Sequence, residues 1–357
     1  WPGPVKGFHR LHFGDVSLTL IHDNAFDALH EIDARVDAWF LDGFSPSKNP
    51  DMWSDEIIEK IYDLSAKGAR LGTFTAAGAV KKSLEKVGFK VHKREGFGRK
   101  RHRLEAILEG KRVNKKIMLA PTIIGAGIAG ASLALAFKRR GIIPQIVHKE
   151  DFIAASHNIV ALVKPRLDLQ DRPESRFFLN SYLYALNLYK NHSLKKGVTQ
   201  IPKSSDEIIR FKKLCSQSPL PKKHLKYDGT ENKLKLGKSL IICPKLIINN
   251  WLKGIHLKQE IPKNSDLKFL AAGFGLKNML QVENIPLRFT RGQISSVKAK
   301  LKSTLSYGGY AIPIGGHVIV GATHNRLDGN NPFTPRVSDD IENINNLKIS
   351  IKFRIFL

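Results

Sequence analysis

The feature that most narrows what this chain can fold into is a glycine cluster set between two apolar runs, IMLAPTIIGAGIAGASLALAF at residues 117–137. Gly125, Gly127 and Gly130 stand in GxGxxG spacing, after a run that reads as a strand and before one that reads as a helix. In a dinucleotide-binding unit Gly125 permits the tight turn, Gly127 lets the backbone approach a pyrophosphate, and Gly130 allows close helix packing while the first helical amides face the anion. An ordinary glycine-rich turn in an α/β core is the alternative reading. The glycines make a strand, turn and buried helix a better account of this stretch than a membrane span. PQIVHKE at 144–150 reads as the next strand. The acid that bonds the ribose is expected about 20 residues after the motif. His148 holds the strand-end position and Glu150 lies two residues later, so either Glu150 reaches the ribose or His148 makes a weaker contact.

With 357 residues and 42% hydrophobic positions, the chain has room for two buried cores and is neither disordered nor low in complexity. Two cysteines, Cys215 and Cys243, argue against a disulfide framework and a multi-cysteine zinc site, leave no metal centre to expect, and fit a reducing, cytoplasmic compartment. The start, WPGPVKGFHRLHFGD, has neither Met nor a signal segment and reads as an internal or processed beginning. The formal charge of +26 favours a polyanionic partner, although a lysine-rich composition with solvated side chains accounts for it equally.

Residues 11–106 alternate strand and helix: VSLTLIHD, a short helix near 25–31, VDAWFLDGF, SDEIIEKIYDLSA, ARLGTFTA, AVKKSLEKVG and FKVHKREG. This predicts a partial Rossmann-like sheet domain over 1–106, a linker over 107–116, and a second α/β domain over 117–357. Within the latter, residues 190–268 carry 18 Lys+Arg against 6 Asp+Glu and read as an exposed basic face or solvent-facing loops.

Four stretches in order carry a resemblance: GAGIAG, AASHNIVALVKPRL at 154–167, FTRGQIS at 289–295 and GGYAIPIGGHVIVGATHNR at 308–326. They resemble the FAD-dependent oxidoreductase half of the bacterial bifunctional tRNA 5-methylaminomethyl-2-thiouridine biosynthesis family, within the D-amino-acid and glycine oxidase superfamily. The resemblance implies an FAD-binding Rossmann-type domain with an inserted α+β substrate domain. It implies that Ser156, His157 and Asn158 contact the flavin, that Pro165 opens the substrate-side segment, and that Arg291, Gly292 and Gln293 match the family's RGQ motif, with Tyr310 and Thr323 in its later hairpin. Arg291 is expected either to anchor a substrate carboxylate or to serve as a structural charge. The implied reaction is oxidation at the carboxymethylaminomethyl group of tRNA wobble uridine, releasing the carboxymethyl part; a flavin suits hydride loss from carbon beside nitrogen.

Upstream, DAWFLDGFSPSKNPDMW at 37–53, FTAAG at 74–78 and GFGRKR at 96–101 resemble the methyltransferase half of the same family, which implies S-adenosyl-L-methionine as methyl donor. Asp23 in LIHDNA looks like the strand-end acid that contacts that cofactor's adenine. Asp42, at the end of AWFL, is expected to orient or deprotonate the substrate amine, or simply to cap a turn. Pro46, Asn49 and Pro50 shape its loop, Trp53 packs beneath it or stacks near the base, and Arg99, Lys100 and Arg101 form a cationic patch suited to phosphate.

Against the family pattern, the glycine loop for S-adenosylmethionine should precede residue 1, and the oxidoreductase pattern weakens after about residue 336; both domains are therefore expected to be incomplete, with methyl transfer the less well represented activity. A small-amine or amino-acid oxidase, and a noncatalytic RNA-binding remnant, remain as alternatives. Oligomeric state and the residues that select the tRNA are left open.

Overall fold

The computed structural model describes residues 3, 5–98, 100–111, 120–148, 155–262, 265, 267–279, 288–326 and 333–351. The chain divides into two compact units, Ile21–Ile117 and a larger one made of Trp1–Leu20 with Met118–Leu357.

Strands β1 (Gly7–Phe13) and β2 (Val16–His22) form a two-stranded sheet of their own, turning at Gly14 with φ +59°. The expectation that VSLTLIHD joins the first domain's sheet is corrected here. β2 pairs with β1, and the segment leading into β1 is held by the larger unit, where Val5 is buried with Leu179, Tyr182 and Leu220. By contacts, residues 1–20 group with the larger unit.

The smaller unit continues with α1 (Ala25–His30), β3 (Val36–Leu41), α2 (Asp55–Leu64), β4 (Ser65–Thr73), α3 (Gly78–Lys86), β5 (Lys90–Glu95) and β6 (His102–Ile107). Its sheet runs β3-β4-β6-β5, with β3 and β4 parallel and the other pairs antiparallel. Ile57, Ile58, Ile61 and Leu64 fall on one stripe of α2 and are buried; the first three share a core with Val80 and Leu84 of α3 and with Leu71, Leu104 and Ala106 of the sheet. β6 lies inside the sheet, and the order extends past it: Leu108 is buried, bonds Ala69 through its N–H and accepts from Gly68. The linker expected from residue 107 thus starts later, because Leu104, Ala106 and Leu108 alternate inward against charged Arg103 and Glu105. Residues 112–119 lie outside the described residues.

The larger unit contains β7 (Pro121–Ile124), α4 (Ile128–Lys138), β8 (Gln145–Val147), β9 (Ala161–Val163), α5 (Pro173–Tyr189), β10 (Ser193–Gln200), α6 (Ser205–Gln217), β11 (Lys226–Asp228), β12 (Lys233–Ile242) and α7 (Pro244–Trp251). It continues through β13 (Leu257–Lys258), β14 (Leu267–Leu270), β15 (Thr290–Arg291), β16 (Ile294–Lys298), β17 (Leu305–Ser306), β18 (Tyr310–Ile314), β19 (His317–Gly321), β20 (Asn325–Arg326) and α8 (Val337–Ile351). β13-β8-β7-β14 is an all-parallel sheet with Ile123 and Ile146 packed among Ala131 and Ala134 of α4 and Ile247 and Trp251 of α7. The second layer is an eight-stranded sheet, β11-β12-β10-β17-β18-β19-β16 with β9 beside β12. The basic segment supplies three of its strands: along β12, Leu234 and Leu236 point into the core while Lys233 and Lys235 face outward. Among the described residues no helix is long and apolar enough to cross a membrane, and no cluster of His, Cys, Asp or Glu could hold a metal ion.

Candidate functional site

The glycine motif forms the strand–turn–helix that its spacing predicts. Gly125 follows β7 with φ +111°, and a Cβ there would lie 2.4 Å from the Ala271 carbonyl oxygen at the end of β14. A Cβ on Gly130 would lie 1.9 Å from the Gly125 carbonyl oxygen, so close packing of α4 on the turn needs glycine at both positions. Gly127 is the N-cap of α4 and offers no side chain; a Cβ on it would sit 3.1 Å from Oγ of Ser156. That hydroxyl accepts a hydrogen bond from Ile128 N–H at 3.1 Å, one of the otherwise unpaired amides at the helix start.

Ser156 thus lies beside Gly127 at the helix start, the place where a dinucleotide pyrophosphate is bound in such units. A bare turn, an amide-bearing helix end and a hydroxyl donor form a cradle that fits that group. His157 is exposed on the same short turn, Ala155–His157, and Asn158 N–H donates to Ala155 O at 3.3 Å. His148 N–H donates to Lys258 O at 2.9 Å, fixing the end of β8. Glu150, its competitor for the ribose, lies outside the described residues.

Arg291 occupies the structural alternative of its two expected roles. Its buried guanidinium is ion-paired with Asp339 of α8 and also donates to Gln293 Oε1 at 2.8 Å and to Thr334 O at 2.7 Å. Gln293 Nε2 donates to Arg336 O and Asp340 Oδ1 at 2.9 and 2.8 Å, and its own N–H donates to Thr323 Oγ1 at 3.0 Å. Asn343 closes the set, donating to Gln293 O at 2.9 Å and Ser295 Oγ at 3.0 Å. The RGQ motif therefore binds α8. Asp339, Asp340 and Asn343 escaped sequence reading; the only signal was the Asp pair at the head of a helical run.

Beside the hairpin expected to follow RGQ lies a cavity of about 850 Å³, lined among others by Lys203, Tyr307, Gly308, Gly309, His324 and Glu342. The Lys203 ammonium sits against Gly308, where a Cβ would come within 2.0 Å of Nζ. Burial, with neighbouring Tyr310 as a second cause, pushes the Tyr307 phenol up to about 12.

In the smaller unit Asp23 follows β2, its Oδ1 accepting from Asn24 N–H at 2.8 Å, while Asn24 caps α1 through Phe26 N–H at 2.9 Å. Asp23, Asp27, Asp51 and Glu56 line a cavity of about 780 Å³ together with Met52. Four carboxylates in one cavity suit a cationic group such as a sulfonium, although the described residues before Asp23 form the β1–β2 hairpin and bring no glycine turn to it. Asp42 is exposed and does not line this cavity. Trp53 is buried beneath the loop and its Nε1–H donates to Phe44 O at 2.8 Å, so packing is its role. Of the cationic patch, Lys100 lies over the Phe74 ring at 5.2 Å and Arg101 is exposed; Arg99 lies outside the described residues.

Fold and site together define an α/β protein with an FAD-oxidase-like domain and a separate methyltransferase-like region. A family model described as S-adenosyl-L-methionine-dependent methyltransferase matches residues 1–109. Among solved structures, iminodiacetate oxidase from Chelativorans sp. BNC1 aligns with a TM-score of 0.54 at 16% identity, covering 64% of this chain and 78% of that one. The chain is similar to the tRNA 5-methylaminomethyl-2-thiouridine biosynthesis bifunctional proteins MnmC. It is 34% identical over 361 residues to that of Caulobacter vibrioides, covering 92% of this chain and 61% of the relative. The Maricaulis maris protein is 33% identical over 356 residues, with 92% and 60% covered. The chain thus spans about three fifths of the length of these relatives.

Proposed function

We propose that this chain carries the flavin-dependent step of tRNA wobble-uridine modification, removing the carboxymethyl group from 5-carboxymethylaminomethyl-2-thiouridine. The observation that supports the reading is the Ser156–Ile128 contact beside the glycine turn, on a parallel sheet, in a chain similar to the tRNA-modifying proteins. The turn at Gly125 and Gly127 and the hydroxyl of Ser156, itself oriented by the Ile128 N–H, would hold the dinucleotide; His148 or Glu150 would meet its ribose. FAD, when bound, would supply the hydride acceptor for oxidation at the carboxymethyl carbon beside the substrate nitrogen. Hydrolysis of the imine so formed would leave the aminomethyl group on the base and release the carboxymethyl part as an oxo acid, so the chain need supply no side-chain nucleophile.

Since Arg291 is engaged by Asp339, the substrate carboxylate needs another cation. Lys203, in the cavity beside Gly308, suits it by charge. In the methyltransferase-like region the carboxylate-lined cavity at Asp23 would take the sulfonium of S-adenosyl-L-methionine, with Asp42 acting from the substrate side. The test is to load the purified chain with FAD and add, without oxygen, tRNA bearing the carboxymethylaminomethyl group. Flavin bleaching with loss of the carboxymethyl group is expected. Failure to bind FAD overturns the reading, and bleaching by free glycine-like amines but not by tRNA replaces it with a small-amine oxidase.

A further inference from the structure

The eight-stranded sheet carries a second polar feature that shares no residue with the glycine cradle. Between Lys196↔Leu240 and Val198↔Leu236 the β10–β12 ladder shifts register, leaving a single residue, Gly197, on the β10 side. Gly197 has φ +87° and nothing within 4 Å of where a Cβ would stand, so the opened ladder has a floor without a side chain. A cleft of about 310 Å³ forms there, closed on its far side by Lys302, Ser303 and Thr304, which lead into β17.

Four lysines line this cleft, Lys195, Lys196, Lys235 and Lys302, and no carboxylate does. Lys235 pairs with Asp228 at 2.6 Å. Lys195 donates to the Pro313 carbonyl oxygen at 2.7 Å, which orients the ammonium without neutralising it. Among the described residues no carboxylate lies within ion-pair distance of exposed Lys196 or Lys302. Gathering like charges around an open backbone floor is repulsive in isolation, and an anion seated among them reverses the sign. Lysine reads phosphate as a point charge, without the planar match that carboxylates offer arginine, and Ser303 adds a hydroxyl donor at the mouth.

We propose that this cleft binds backbone phosphates of the RNA substrate, positioning it on the oxidase-like unit. The inference rests on the tRNA reading above and adds the place where the polyanion is held. Such contacts position a nucleic acid and carry no sequence information, so their signature is ionic.

The experiment is fluorescence anisotropy of labelled tRNA against the FAD-loaded full chain over a salt series, for the parent, Lys302→Gln and the double variant Lys196→Gln/Lys302→Gln. Each lost phosphate contact lowers the slope of log affinity against log salt by roughly 0.7 to 0.9, so the double variant should lose about 1.5 of slope. Thermal melting and the flavin spectrum should match the parent, because both side chains are exposed and outside the cradle. An unchanged slope in the double variant overturns the cleft assignment while parental tRNA binding leaves the tRNA reading standing. A parent that does not bind tRNA overturns both. Slope loss without flavin bleaching by modified tRNA supports the cleft and removes the proposed oxidation.

Discussion

The guanidinium of Arg291 closes on the carboxylate of Asp339, 48 residues further along the chain, and both side chains are almost wholly withdrawn from solvent. This pair joins β15 to α8, and Gln293, Ser295, Asp340 and Asn343 extend it along the strand that follows. An arginine that looked available to a substrate is instead part of what holds a helix on a sheet.

Removing one member of that pair leaves the other as a buried, uncompensated charge, which costs about 3–5 kcal/mol. Asp339→Ala and Arg291→Ala should therefore each lower the urea midpoint strongly and by similar amounts. The double variant should lose less than the sum, since neither charge is then stranded. Additive losses would show that the two groups act independently.

The parts of this arrangement differ in how far they can be read along the chain. The cradle at Gly125–Gly130 is legible because turn, helix start and packing contact lie within six residues, and local spacing encodes all three. Ser156 was named only through resemblance; its contact with Ile128 spans 28 residues, and no period links them. The linker expected over 107–116 gives way at its start because Leu108 continues the inward alternation of Leu104 and Ala106, while Glu105 pairs with Arg94 of the neighbouring strand and with Arg103 two residues back on its own strand. Asp339 was missed for a different reason: an acid near a helix start has a sufficient local explanation in the helix dipole. Only the fold reveals its partner.

The three glycines of the motif should respond differently to alanine. At Gly125 and Gly130 the added Cβ meets backbone oxygen at 2.4 and 1.9 Å, so Gly125→Ala and Gly130→Ala must displace the turn or the helix. At Gly127 it meets Oγ of Ser156 at 3.1 Å, and a serine side chain can yield. Thermal melts should show Gly127→Ala near the parent and the other two well below it, while FAD titration should show all three impaired. A Gly127→Ala variant that binds FAD as the parent does would move the dinucleotide away from this turn.

A side-chain bond from the Trp53 indole N–H to Phe44 O at 2.8 Å ties the loop that carries Asp42 to the helical turn beneath it. Trp53→Phe keeps most of the apolar packing against Phe74 and Ile57 and removes that donor. The expected loss is about 1 kcal/mol for the unmade hydrogen bond, with a further loss for the smaller ring. Hydrogen exchange should show the 42–49 amides opening faster while those of α2 stay protected. Equal acceleration in both would mean that Trp53 supports the unit's core and not the loop.

Tyr307 gives the chain an alkaline signature. Burial holds its phenol at about 12, and its hydroxyl donates to Tyr310 O at 3.2 Å, whereas an unfolded tyrosine titrates near about 10. A folded pKa raised above the unfolded one means that the native state keeps its proton longer. The associated stability is fully present below about pH 10 and is lost as pH rises through about 12. Phenolate absorbance should therefore show a late step, shared with Tyr182, which burial also pushes up to about 12. Tyr307→Phe should diminish that step and flatten the fall of the urea midpoint between those pH values. A late step of undiminished size in the variant would place the Tyr307 hydroxyl in water and open the floor of the cavity beside Gly308.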